Sequence, residues 1–166
     1  MSQPILINSL DFARERREIS TRDIAVADLP RLADALASRD GVLSWSVSGH
    51  VDRLHRPTLR LKVCGDVMLA CQRCLEPLPH RIDADTLITQ FTDEERLEAA
   101  CDEDEDLDGI LAEEELDVLA LIEDEVLLGL PLAPRHDDCR PDAIEKAKAD
   151  KPNPFAVLAA LKRKPD

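Results

Sequence analysis

Aromatic residues are almost absent from this sequence. Its 166 residues include one tryptophan, three phenylalanines and no tyrosine. Proteins that bind single-stranded nucleic acid stack bases on aromatic rings, so this scarcity argues against such a binding domain. The hydrophobic core must instead be built from Leu, Val, Ile and Ala, and a chain of this length can bury one such core.

Signals for export or membrane insertion are also missing. The N-terminus has no basic segment before an apolar run, and no stretch reaches the roughly 18 apolar residues of a membrane-spanning helix. The five cysteines form an odd set, which without a secretion signal favours reduced thiols or a metal over disulfides. We therefore expect a soluble, cytoplasmic protein that does not bind membranes.

Common catalytic motifs are absent too. The sequence contains no phosphate-binding G-x-x-x-x-G-K-S/T loop, no G-x-S-x-G nucleophile motif and no H-E-x-x-H zinc motif. Four histidines are present, and nothing in their spacing pairs them with a nucleophile. We predict that the protein is not an enzyme, has no catalytic residues and takes no small-molecule substrate.

Negative charge is abundant and concentrated in one segment. The formal net charge is −14, but residues 93–125 alone contain 17 acidic residues and one base, Arg96. The remainder of the chain is close to neutral. Such an acidic protein is a poor ligand for the phosphate backbone, whereas it attracts basic proteins over long distances.

The pattern of apolar residues predicts an α+β fold. Apolar and polar residues alternate at 42–51 and 58–69, and β-branched residues are frequent at 78–91. Short turns between these segments predict an antiparallel β-meander, with a partial barrel as an alternative. Helices are expected on both sides of the meander, including an amphipathic helix at 116–130 that Pro131 ends.

The domain layout follows from changes in composition. We predict one α+β domain over residues 1–134, with a mobile acidic loop at about 92–109 because this segment is too charged to bury. Residues 135–152 are polar and are predicted to be a linker. Residues 153–166 are predicted to form a flexible C-terminal segment, with a short helix that Asn153 caps and Pro154 begins, and a basic tail.

Cys71 and Cys74 form the one cysteine pair with ligand spacing. Two thiolates at such a turn can both ligate a tetrahedral zinc ion, and His136 with Cys139 could complete its shell. The alternative is that the cysteines are small packing residues at a tight turn. A redox role would require the first thiol at a helix N-terminus, yet the motif follows a strand. Zinc is the one cofactor that the sequence suggests.

Three motifs in the last hundred residues resemble one protein family. They are Cys71-Gln72-Arg73-Cys74-Leu75; Asp117-x-x-Ala120-x-Ile122-Glu123-Asp124-Glu125-x-x-Leu128, followed by Leu130-Pro131 and His136; and Lys151-Pro152-Asn153-Pro154-Phe155-Ala156-Val157-Leu158. In this order, with an acidic segment between the first two, they resemble the YceD family of large ribosomal RNA subunit accumulation proteins. The resemblance implies a role in ribosome biogenesis, in the synthesis, processing or stability of 23S rRNA.

Charge and resemblance together suggest how such a protein would act. We predict that it binds a ribosomal protein, an assembly protein or the pre-50S particle without catalysis. The alternative is direct rRNA binding through basic strand residues and the tail. A third hypothesis is that the protein is a thiol- or zinc-dependent enzyme. The predicted partner-binding residues lie at the end of the acidic stretch and in the C-terminal segment: Glu123, Asp124, Glu125, Asn153, Pro154, Phe155, Leu158 and Leu161.

Overall fold

The fold is a two-layer α+β arrangement in which helices cover one face of a five-stranded sheet. A computed structural model describes residues 3–138. The elements are, in chain order, β1 (Leu6–Ile7), α1 (Ser9–Arg14), β2 (Glu18–Ala25), a 3-10 turn (Val26–Asp28), α2 (Pro30–Ala35), β3 (Val42–Val51), β4 (Pro57–Ala70), β5 (Pro77–Phe91), α3 (Glu94–Glu103), β6 (Asp108–Leu111), β7 (Leu116–Asp117) and α4 (Val118–Gly129).

The predicted antiparallel meander is confirmed for β2 to β5. These strands pair in chain order, and the long β4–β5 hairpin runs without interruption from Thr58 opposite Thr89 to Ala70 opposite Pro77. Strand β6 adds a parallel pair at the β5 edge, which the meander prediction did not include. The order β2-β3-β4-β5-β6 leaves two free edges, so the described sheet is open and does not form the barrel alternative.

Alternation along β3 and β4 determines which face of the sheet is buried. Trp45 and Val47 point to the same side as their partners in β4, Val63 and Leu61, and all four are buried. Helices α1 and α4 pack on this side, and α4 contributes the buried residues Val118, Leu119, Ile122 and Val126. A single aliphatic core results, as the period-two pattern predicts.

The predicted acidic loop is wrong over most of its length. Residues 94–103 form helix α3, which Asp93 caps by accepting a hydrogen bond from the Arg96 N–H, and β6 begins at Asp108. No residue of α3 is buried. The prediction failed because it weighed the charge of the segment, whereas an N-cap followed by good helix formers is enough for a helix on the surface.

None of the helices in residues 3–138 is long and apolar enough to span a bilayer.

Candidate metal centre

The turn between β4 and β5 carries both cysteines of the C-x-x-C motif. The Cys71 N–H donates to the Glu76 carbonyl at 3.0 Å, and the Leu75 N–H donates to the Cys71 carbonyl at 2.9 Å. Leu75 adopts the left-handed conformation with φ of 64°, which reverses the chain within this turn. These backbone bonds define the turn that carries Cys71 and Cys74.

The chain after α4 returns to this turn. The Gln72 N–H donates to the Pro134 carbonyl at 2.8 Å, and this contact brings the following residues beside the two thiols. The ligand atoms of Cys71, Cys74 and His136 all lie within 4.8 Å of one another. The structure therefore brings together three of the four predicted ligands, although His136 follows Cys74 by 62 positions.

The two ring nitrogens of His136 have different partners. Nε2 lies 3.2 Å from the Pro77 carbonyl oxygen, which can only accept a hydrogen bond. Nε2 must therefore carry the proton in the neutral ring, and Nδ1 presents its lone pair 3.4 Å from the Cys74 sulfur. Histidines that ligate metals characteristically donate their other N–H to a carbonyl or carboxylate in this way.

Cys71 lies in an environment that favours its thiolate. Burial raises the pKa of this thiol, but the backbone N–H groups of Cys74, His136 and Arg73 donate to it and together lower the pKa to about 5. Hydrogen bonds to the charged form are the physical cause of this net decrease. Cys71 itself has no solvent exposure, whereas Cys74 and His136 are partly accessible.

This arrangement matches metal ligation better than thiol redox catalysis. Two sulfurs and an imidazole nitrogen are the soft and intermediate donors that zinc prefers. A redox-active C-x-x-C of the thioredoxin type has its first thiol at a helix N-terminus. Here the motif connects two strands.

The remaining predicted site residues fall into two groups, one outside the described residues and one on α4. Cys139 and the C-terminal residues Asn153, Pro154, Phe155, Leu158 and Leu161 lie outside the described residues. Glu123, Asp124 and Glu125 lie on α4, where each makes an internal contact, and their partner binding stays a prediction.

Glu123 connects α4 to α2. It is 4% exposed, and its two carboxylate oxygens accept from the Leu32 N–H and from the Arg31 Nε, both at 2.9 Å. Helix α2 has no side-chain cap of its own, so Glu123 supplies the acceptor that its N-terminus lacks. The sequence did not predict this role because Glu123 and Leu32 are 91 positions apart.

Arg31 also binds the neighbouring residues of α4. Its guanidinium donates to Asp124 at 2.5 Å and to the Ala120 carbonyl at 3.1 Å. Hydrogen bonding to Glu123 is the largest cause of the raised pKa of Arg31, and hydrogen bonding to Asp124 raises this pKa further. Asp124 remains exposed to solvent in this contact between Arg31 and α4.

Two comparisons with known proteins agree on one family. The family model described as "Large ribosomal RNA subunit accumulation protein YceD" matches residues 59–162. A protein of Haemophilus influenzae with the same name is 33% identical over 172 aligned residues, which cover 97% of this chain and 97% of the relative. No solved structure was found to match the chain.

Proposed function

Because the chain belongs to the YceD family of large ribosomal RNA subunit accumulation proteins, we propose that it is a non-catalytic factor in ribosome biogenesis. The family match and the Haemophilus influenzae relative confirm the resemblance to this family that the sequence motifs indicated. In this proposal the protein acts in the cytoplasm, where it supports the synthesis, processing or stability of 23S rRNA. It does so by binding a basic ribosomal or assembly protein, free or within the pre-50S particle.

The observation that supports this proposal best is an acidic surface with almost no basic partners among the described residues. We define the acidic surface as the exposed carboxylates between residues 94 and 115: Glu94, Glu95, Glu98, Asp102, Glu103, Asp104, Glu105, Asp106, Asp108, Glu113, Glu114 and Glu115. Within residues 93–115 the one ion pair joins Arg96 to Asp93, and both side chains are well exposed. Such a surface accelerates encounters with cationic proteins and repels nucleic acid.

Helix α3 carries part of this charge where it does not help the fold. Asp102 and Glu103 lie in the last turn, beside the negative end of the helix dipole, and that turn contains no basic residue. Carboxylates in this position are mildly destabilising. An intermolecular role would explain why acidic residues occupy it.

Direct rRNA binding is less well supported, because the basic residues of the strands are largely neutralised within the protein. Arg60 donates twice to Asp85 at 2.7 Å, and this hydrogen bonding is the main reason that the pKa of Asp85 falls to about 2. Arg81 pairs with Asp66, and Arg56 with Asp52. Cations already paired in this way contribute less to binding phosphates.

Sedimentation of the full-length protein with ribosomal precursors tests the proposal. A lysate is separated on a gradient before and after RNase treatment, and the protein is followed by immunoblotting. We expect it to sediment with pre-50S particles, and to remain bound to one or more ribosomal proteins after RNase. Binding that disappears with the RNA would instead favour direct rRNA recognition, and absence from all precursor fractions would contradict the proposal.

Neutralising part of the acidic surface should weaken this association. The variant E98Q/D102N/E103Q removes three charges and, within residues 3–138, no cap and no ion pair, so its melting temperature should not fall. We expect roughly tenfold weaker capture of the partner at low ionic strength, and a smaller effect of added salt. The control E15Q/E18Q/D83N removes three exposed charges elsewhere and should bind as the unmodified protein does. Equal binding by both variants would contradict the role of the acidic surface.

The C-terminal segment is proposed as a second binding element. Phe155, Leu158 and Leu161 recur at intervals of three, a spacing typical of a helix that inserts into a groove on a partner. A chain truncated after Pro152 should keep its unfolding midpoint and lose pre-50S association. A clearly lower midpoint, measured by thermal denaturation, would show instead that these residues belong to the protein's own core.

A further inference from the structure

We propose that the groove between α4 and β6 binds an amphipathic helix of a basic partner protein, whose apolar side chains enter the groove while its Lys or Arg side chains meet the groove's carboxylates. The apolar residues that line this α4–β6 groove are Ile88, Ile110, Leu121 and Leu128. The inference names the binding site and the segment recognised, and its choice of a basic protein as partner rests on the function proposed above.

The groove lies where the helix layer meets the end of the sheet. Helix α4 packs on β4 and β5, and β6 is the last strand of the sheet. The groove between α4 and β6 has a volume of about 360 Å³. Ile88 of β5 is buried within it, and Ile110 of β6 is half-buried. A partner helix lying beside α4 would extend the helix layer over β5 and β6.

Helix α4 carries a second apolar stripe outside its buried face. Ile122 and Val126 belong to the buried face, whereas Leu121 and Leu128 lie on the side that lines the groove. Leu128 is 84% exposed. A lone exposed leucine is ordinary, but here it continues an apolar surface made by neighbouring residues. The two leucines are two turns apart, roughly 11 Å, so the groove suits a helix with anchors at i, i+3 or i+4, and i+7.

The acidic residues of the groove determine the charge of the partner. They are Asp108, Asp124 and Glu125, and none of the described residues that line the groove is basic. Asp124 already binds Arg31, whereas Asp108 and Glu125 have no basic partner in the part of the chain that the structure describes. The Thr86 hydroxyl donates to one oxygen of Glu125, which leaves the other oxygen to accept from a cation. This charge favours a cationic segment and repels phosphates.

The groove also adjoins the acidic surface, because Asp108 belongs to both. The two features would act at different stages of binding. Long-range attraction to the acidic surface speeds the encounter with a basic protein, whereas burial of apolar anchors in the groove slows dissociation. The expected partner segment is therefore a helix with aliphatic residues on one face and Lys or Arg beside them.

Peptide binding to the full-length protein tests this chemistry. The probe is a fluorescein-labelled peptide of leucine and lysine, about 14 residues long so that it can form a helix, with its leucines on one face. One control peptide has the same composition in scrambled order, and another has glutamate in place of lysine. We expect the probe to bind roughly tenfold more tightly than either control in fluorescence anisotropy at low ionic strength. Equal binding of the two lysine peptides would overturn the role of the apolar groove.

Substitution of Leu128 locates the binding. L128Q replaces an exposed side chain of α4 by one that helices accept, so the unfolding midpoint should not change. We expect about tenfold weaker binding of the probe, mostly through faster dissociation in stopped-flow measurements. L54Q is the matched control, because Leu54 is 70% exposed and lies in the turn between β3 and β4, outside the groove. Unchanged affinity in L128Q would contradict the proposal.

Substitution of Asp108 tests the charge of the groove. D108N should weaken binding of the probe by up to about fivefold at low ionic strength, and added salt should abolish the difference. D83N removes an exposed carboxylate of β5 that does not line the groove, and it should bind the probe as the unmodified protein does. Equal losses in D108N and D83N would show that net charge, and not the groove, attracts the peptide.

Methyl NMR spectra of the full-length protein identify what fills the groove. Addition of the probe should shift the methyl signals of Ile88, Ile110 and Leu128 and leave those of Leu54 unchanged. If the groove signals shift on dilution without peptide, a second copy of the chain fills the groove. If they shift when residues 153–166 are removed, the chain's own C-terminal residues fill it. Either result would overturn the proposal.

Gradient sedimentation of L128Q separates this inference from the function proposed above. We expect L128Q to lose most of its association with pre-50S particles, whereas L54Q and the unmodified protein should keep it. If all three sediment with the particles, the ribosomal role stands and the assignment of the groove is wrong. If the unmodified protein binds the probe in the groove but is absent from every precursor fraction, the groove stands and the ribosomal role is wrong.

Discussion

Replacing Gly49 with alanine should lower the free energy of unfolding by about 3 kcal/mol. Gly49 lies in β3, on the buried face of the sheet, directly beneath α1. A Cβ atom at this position would come within 2.7 Å of the Ala13 Cα and closer still to the Phe12 carbonyl oxygen. These are backbone atoms, which cannot move aside as a flexible side chain can, so α1 would have to shift off the sheet.

Denaturant unfolding followed by circular dichroism measures this effect. Gly129 provides the control, because it is the last residue of α4 and a Cβ atom there meets nothing within 4 Å. G129A should be neutral or stabilise the protein by up to about 1 kcal/mol, since alanine favours the helix. A loss in G49A no larger than the change in G129A would show that α1 does not pack on β3 as described.

Replacing Glu123 with alanine should destabilise the protein by about 2–3 kcal/mol. The substitution removes the acceptor for the buried Leu32 N–H and leaves that donor without a partner at the start of α2. It also removes the carboxylate that pairs with Arg31, although Arg31 is half exposed and water can replace part of that contact. The unsatisfied N–H is therefore the larger part of the cost.

Two further variants distinguish capping from ion pairing. E123Q keeps an oxygen that can accept from the Leu32 N–H, so it should lose only about 1 kcal/mol. D124N removes the exposed partner of Arg31 and should cost less than about 1 kcal/mol. Urea unfolding curves of the three variants should rank E123A as the least stable. If D124N were as damaging as E123A, the ion pair and not the cap would join the two helices.

Long strands were predictable because their signal is local. Strand β3 occupies 42–51 as its alternating pattern indicates. Strand β4 is one residue longer than the predicted segment at each end, and β5 begins one residue earlier than predicted. Side chains of a strand alternate between the two faces of the sheet. A strand with one buried face therefore shows alternating apolar and polar residues in its sequence. Helix α3 was missed although its signal was present: Asp93 as N-cap, two glutamates in the first turn, and Leu97 and Ala100 three positions apart.

By itself, the sequence determined the α+β class, the meander, the inward faces of β3 and β4, the family, and Cys71, Cys74 and His136 as candidate ligands. These depend on residue type and spacing within short segments or on motifs. Only the tertiary structure decided that β6 pairs in parallel with β5, that Glu123 caps α2, and that the Pro77 carbonyl orients His136 toward Cys74. Each of these contacts joins residues far apart in the chain, and packing of the whole domain determines which distant groups meet; no local pattern specifies the partner.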